Sequence, residues 1–180
     1  MSLHDTAEAS LQHWAPPDRD QRSLRDRFLA HLEAHPDGVW RNCEGEHLTT
    51  GVLVVDHTVS RVLMNLHGKA GIWVAFGGHC EAGDSTLLAA ATRELIEESG
   101  LSGFEVDPVI AQLDVHPVDF CRPHGSVNHL DVRFVARAAP DATHQASDES
   151  TEVRWFDFDA VPTREPQMRE LIQIAAQRFG

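Results

Sequence analysis

At 180 residues, 42% hydrophobic and 24% charged, the chain has the composition of one soluble globular domain with room for an extension. Its net charge of −13 argues against nucleic acid or an anionic membrane as partner, because both select basic surfaces. Cys43, Cys80 and Cys121 have no paired spacing, the N-terminus has no charged-then-apolar signal pattern, and no apolar run nears membrane-spanning length. A reducing, cytoplasmic setting is the expectation. Lys69 is the only lysine, so arginine must supply most fixed positive contacts.

Residues 1–18 end in Pro16-Pro17 and read as a loose lead-in. Asp20–His35 places Leu24, Phe28, Leu29 and Leu32 on one helical face, and Pro36 stops it. This helix belongs to an N-terminal helical extension, 1–45, expected to pack on the core, with homodimerisation as its alternative role. Leu48–Asp56 is a strand rich in β-branched residues, His57–Ser60 a turn, and Arg61–His67 the returning strand. Ile72–Phe76 is a short apolar strand leading into Gly77-Gly78. After a helix that ends at Gly100, Phe104–His116 reads as a strand interrupted near Pro108. Pro117–Gly125 reads as a loop, Val127–Ala138 as a strong strand and Ala139–Ser150 as a long polar loop. Val153–Phe158 is the last strand. Pro166 suits the first turn of a final helix whose buried face is Met168, Leu171, Ile172 and Ala175. Several strands with a central and a terminal helix imply helices on both faces of a mixed sheet.

The helix before Gly100 carries an electrostatic anomaly. Glu94, Glu97 and Glu98 fall at i, i+3 and i+4 in its last turns, on one face. Carboxylates there oppose the helix dipole and repel one another, each effect costing a few tenths to about 1 kcal/mol. A bound cation offsets both, and carboxylate oxygens select a hard ion, Mg²⁺ with Mn²⁺ as the alternative. The competing account is a solvated acidic helix end.

Two strands alternate polar residues where a two-sided core would want apolar ones. His129, Asp131 and Arg133 share one face, as do Asp114 and His116. A half-exposed sheet explains this; so does a substrate-binding cleft wall, with Arg133 as an anion contact and the histidines as stacking or hydrogen-bonding groups. The strand histidines form no H-x-x-x-H pair, which disfavours a separate histidine-based metal site on these strands. The sequence has no G-x-S-x-G elbow, no Walker loop and no G-x-G-x-x-G after a strand. His79 and Cys80 adjoin but point apart on extended chain, so Cys80 reads as a small buried filler.

Gly78–Leu101 resembles the Nudix box, G-x5-E-x7-R-E-U-x-E-E-x-G-U with U aliphatic. Arg93, Glu94, Leu95, Glu97, Glu98, Gly100 and Leu101 match its second half. In the first half Asp84 stands at the glutamate position, and one extra residue separates it from Arg93; Asp84 is therefore expected to be an N-cap or loop brace rather than a ligand. The GGHCE opening, the HLDVRF strand and the VRWF segment are similar to MutT-like bacterial Nudix hydrolases. The resemblance implies an α+β fold, an α/β/α sandwich around a mixed sheet, for 46–180. It implies hydrolysis of a nucleoside diphosphate derivative, (d)NTP or related compound. It assigns Glu94, Glu97, Glu98 and the Gly77 carbonyl to Mg²⁺, and gives Arg93 the task of orienting the catalytic carboxylates. The general base is either Glu94 or an acidic residue of the polar loop, Asp148, Glu149 or Glu152, with Glu149 preferred. Two other readings keep the scaffold: a catalytically silent nucleotide-binding regulator, and an isoprenoid diphosphate isomerase using Cys80.

Overall fold

A computed structural model describes residues 1–68, 71–121, 125–145, 150–163 and 165–180. The N-terminal segment is more ordered than its prolines suggest. Helix α1 spans Leu3–His13. Ser2 and Asp5 cap it reciprocally: Asp5 N–H donates to Ser2 Oγ at 3.2 Å and Ser2 N–H to Asp5 Oδ2 at 2.8 Å. Leu3, Ala7 and Leu11, spaced by four, form its buried stripe. The reading of 1–18 as a loose lead-in is thus corrected; a capping box and a short apolar stripe outweigh the terminal prolines. Helix α2, Arg19–Ala34, starts at Asp18, which accepts the Gln21 N–H at 2.8 Å, and buries Phe28 and Leu32.

The strands are β1 (Glu46–Val55), β2 (Arg61–His67), β3 (Trp73–Val74), β4 (Phe76–His79), β5 (Ser102–Val106), β6 (Gln112–Cys121), β7 (Gly125–Thr143) and β8 (Ser150–Asp157). Helix α3 (Leu87–Ser99) follows β4, and α4 (Pro166–Phe179) closes the chain. All eight strands join one mixed sheet along the path β3-β2-β1-β7-β5, with β4 on β1, β6 on β7 and β8 on β2. β1 runs parallel to β7, with Glu46 beside Asn128 and Val55 beside Arg137. Its other edge is shared: Thr49–Val52 pair with β4, and Val54 and Val55 with β2.

Three strand expectations need correction. Phe104–His116 divides into β5 and β6, and both pair antiparallel with β7. Pro117–Gly125 is not all loop, because β6 continues to Cys121. Pro117 sits opposite Asn128 and is tolerated because, among the described strands, β6 pairs only with β7. The polar 139–150 segment is strand as far as Thr143, held by pairing with Ser102.

Period-two alternation splits the core across the sheet. Leu48, Val52, Val54, Leu130, Val132 and Phe134 pack with α1, α2 and α3 in one cluster. Leu53, Val55, Val62, Met64 and Val135 pack with Met168, Leu171, Ile172 and Ala175 of α4 in the other. On the α1–α3 side, Gln21 clamps the backbone of β6 like a short strand segment. Its amide donates to the Leu113 carbonyl at 3.0 Å and accepts the Leu113 N–H at 2.7 Å. The β1–β2 turn is organised by the buried Asp56. Burial alone would raise its carboxyl, but hydrogen bonds from Thr58, Ser60 and Arg61 outweigh that and bring it down to about 2.

Candidate active site

The loop after β4 and the start of α3 converge on Arg93. Thr86 caps the helix, accepting the Ala89 N–H at 3.0 Å, so Asp84 is not the cap. Asp84 braces the loop. It accepts the Glu81 N–H at 2.8 Å and receives Arg93 Nε at 3.1 Å and Nη2 at 3.0 Å. Burial alone would raise the Asp84 carboxyl; the Arg93 and Glu81 donors hold it below the usual range. Arg93 also donates from Nη1 to Glu94 at 3.1 Å and Glu97 at 2.9 Å, and from Nη2 to the His79 carbonyl at 2.9 Å. One guanidinium therefore fixes the loop aspartate, the end of β4 and two of the three helix carboxylates. The hydrogen bond to Asp84 is the main reason its pKa rises.

Helix α3 ends at Gly100, in the left-handed conformation at φ 56°, with its N–H on the Ile96 carbonyl at 2.8 Å. Glu98 is 7% exposed and accepts the Gly77 N–H at 2.9 Å. The glycine pair is a packing requirement. A Cβ on Gly77 would land on the Thr50 carbonyl oxygen and 2.8 Å from Gly51 Cα; a Cβ on Gly78 would sit 2.5 Å from Glu94 Oε1. The β4 backbone and the helix carboxylates thus share one narrow space. Among the described residues these glutamates do not gather as a metal-spaced trio. Arg93 holds Glu94 and Glu97 while Glu98 faces Gly77.

The polar row lies on the other face of the sheet, above Gly51. A Cβ on Gly51 would be 3.6 Å from Asp131 Oδ2 and 3.7 Å from Arg133 Cγ, and Gly51 pairs with Gly77. The row is thus next to the glycine strand. Arg133 does not stand free on a cleft wall. It is 7% exposed and donates to Asp131 at 2.8 Å, Asp114 at 2.8 Å and Gln112 at 3.2 Å. Asp131 also accepts from Thr49 Oγ1 at 3.1 Å, and His116 Nδ1 lies 3.1 Å from Asp114. Burial would lower the His116 pKa, but its hydrogen bond with Asp114 raises it.

His129 stands at the end of this row among further imidazoles. Its ring is 5.5 Å from His116, 5.2 Å from His47 and 5.0 Å from His79, centroid to centroid. Burial, reinforced by neighbouring positive character, pushes His79 down to about 3 and His129 to about 4. His47, His79 and Cys121 were not legible as site residues from local spacing. The usable signal was register: His47 pairs with His129 and Thr49 with His79, so all three rings share a face.

The NUDIX domain model matches residues 38–174. The chain belongs to the Nudix family. The match starts after α2, while both N-terminal helices contribute side chains to the same core cluster as the box helix. No curated protein matches the sequence significantly. Among solved structures, a Nudix-family hydrolase from Clostridium perfringens superposes with a TM-score of 0.52 at 21% identity, covering 74% of this chain and 95% of that one. A C. elegans Ap4A hydrolase binary complex gives 0.59 at 14% identity, over 73% and 96%. The NUDIX domain of Shewanella oneidensis NrtR, complexed with ADP ribose, gives 0.57 at 17%, over 77% and 91%. These likenesses establish the Nudix fold, with the box in its loop–helix position.

Asp148 and Glu149, the loop candidates for the base, lie outside the described residues. Glu152 is described and pairs with Arg154 at 2.6 Å. Cys80 is 6% exposed, and burial followed by the nearby Asp84 charge pushes its thiol up to about 12. That environment suits an apolar filler and not an acid–base thiol. No helix among the described residues is long and apolar enough to cross a membrane.

Proposed function

We propose that this Nudix protein is a Mg²⁺-dependent pyrophosphohydrolase acting on a nucleoside diphosphate derivative or (d)NTP, with Mn²⁺ as the alternative ion. The observation that carries this reading is the Arg93-centred box, in which the missing side chain of Gly78 leaves room for the Glu94 carboxylate and the Gly77 N–H donates to Glu98. Three carboxylates and a peptide carbonyl are oxygen donors of the kind a hard divalent cation takes. Glu94, Glu97, Glu98 and the Gly77 carbonyl would hold it. When bound, such an ion neutralises phosphate charge and acidifies a water.

The chain's own residues supply the rest. Arg93 sets the carboxylates and the β4 carbonyl in register, so it is a positioning residue. Glu94, beside the glycine strand, accepts the water's proton, with Glu149 as the alternative base. Arg133 braces Asp131 and Asp114, and through them His116, into a face that reads the substrate beyond its phosphates. The complex of the NrtR NUDIX domain with ADP ribose and the Ap4A hydrolase among the structural neighbours support a nucleotide-type ligand. Residues 1–45 serve as a helical extension docked on the box side. Three free buried cysteines accord with a cytoplasmic protein.

The test is incubation with Mg²⁺ and a panel of nucleoside triphosphates, dinucleotides and nucleotide sugars, with product identification. Two phosphorylated products from one pyrophosphate linkage are expected. Saturable nucleotide binding without products would favour the silent regulator, and double-bond migration without phosphate release from an isoprenoid diphosphate would favour the isomerase.

A further inference from the structure

Four metal-ligating side chains from four strands converge on the sheet face opposite α3. His47 of β1, His79 of β4, Cys121 at the end of β6 and His129 of β7 each offer one ligand atom, all within 4.8 Å of one another. His47 and Cys121 are buried; His79 and His129 are partly so. The separations among His47, His79 and Cys121 suit one tetrahedral ion. His79 Nε2 is 3.2 Å from His47 Nε2, and Cys121 Sγ is 3.5 Å from His79 Nε2 and 3.7 Å from His47 Nε2. With Zn–N near 2.05 Å and Zn–S near 2.3 Å, a regular tetrahedron has N···N edges of about 3.3 Å and N···S edges of about 3.6 Å.

The lone pairs are arranged to match. The Cys43 carbonyl, 3.3 Å from His47 Nδ1, can only accept, so His47 carries its proton there and turns a lone pair at Nε2 into the cluster. This is how second-shell carbonyls orient metal-binding histidines. His129 Nε2 is buried with no hydrogen-bond partner among the described residues. Imidazole and thiolate together select a borderline ion such as Zn²⁺ over Mg²⁺.

We propose that His47, His79, Cys121 and His129 form a closed His₃Cys site for a zinc-class transition-metal ion, distinct from the box carboxylates. Four protein ligands leave no open position, which marks a structural site. Its consequence is positional. The ion ties β1, β4, β6 and β7 together beside the glycine pair, and the His79 carbonyl is the one Arg93 grips at 2.9 Å. The site does not rest on the hydrolase reading.

The test uses the full-length protein, stripped with a chelator under reducing conditions and titrated with Co²⁺ in the absence of substrate. The expected result is one equivalent showing an intense tetrahedral visible spectrum and a thiolate charge-transfer band, displaced by one equivalent of Zn²⁺. Glu98→Gln should keep this spectrum, Cys121→Ser should lose the charge-transfer band, and His129→Gln should weaken binding by about 10-fold or more. A weak octahedral spectrum in the unmutated protein, or a spectrum lost in Glu98→Gln with the fold retained, would overturn the assignment. Because the unmutated protein is read first, misfolding of a variant does not remove the test.

Discussion

Gly78→Ala tests whether the glycine strand sets the position of the box carboxylates. The new Cβ would lie 2.5 Å from Glu94 Oε1, 2.6 Å from Cδ and 2.8 Å from Oε2, whereas ordinary contact begins near 3.4 Å. The carboxylate must therefore retreat by roughly 0.9 Å, taking one of the Arg93 contacts with it. The obstacle is the end of a flexible side chain, so the fold adapts at about 1 kcal/mol, a melting shift of roughly 2–4 °C. A displacement near 1 Å in a catalytic group costs about 100-fold in rate, or ~2.7 kcal/mol of barrier. The assay pairs thermal melting with Mg²⁺-dependent kcat/KM on the best substrate from the panel. A folded Gly78→Ala protein within twofold of the unmutated kcat/KM would show that Gly78 does not set the carboxylate position. Gly77→Ala makes the contrast: its Cβ meets the backbone of Thr50 and Gly51 in the central strand, which cannot swing away. There the main loss is stability, about 1–3 kcal/mol or more.

Asp84→Asn replaces a charged two-point partner of Arg93 with a neutral one, and is expected to cost about 1–2 kcal/mol and to lower kcat/KM, measured by denaturant melts and kinetics. Gln21→Ala leaves the buried Leu113 backbone without both amide partners; a loss of about 1–3 kcal/mol is expected, with faster amide exchange at Leu113. Asp56 has a folded pKa depressed to about 2 from 3.8, so its contribution is present above pH ~4 and lost as pH falls through about 2. That contribution is about 2 kcal/mol, and Asp56→Asn should flatten the acid limb of stability against pH across that window.

Local signals carried part of this structure and tertiary assembly the rest. The final helix was legible down to its buried residues because Met168, Leu171, Ile172 and Ala175 follow the helical period. The box helix was legible because Glu94, Glu97 and Glu98 violate what a helix end prefers. Helix α1 is encoded by Ser2, Asp5 and the Leu3–Ala7–Leu11 stripe, but Pro16 and Pro17 after it mask that signal in the sequence. The extension of β6 through Pro117 is not a local property, since only its pairing with β7 permits it. Arg133 reads equally as an exposed anion contact and as an interior brace until the carboxylates around it are placed. The histidine–cysteine cluster is the extreme case. Its members lie between positions 47 and 129, on four strands, and no spacing within any one of them announces the others.

If the box carboxylates run a metal-dependent hydrolysis, Glu98→Gln should abolish it. The amide keeps an oxygen to accept the Gly77 N–H and removes one of three crowded charges, so the fold should melt at or above the unmutated temperature. The measurement is turnover of the identified substrate in saturating Mg²⁺ beside a melting curve on the same sample. The expected result is a folded protein with turnover down by about 1000-fold or more, the scale of losing several kcal/mol of charge stabilisation. Near-normal hydrolysis by folded Glu98→Gln protein would contradict it.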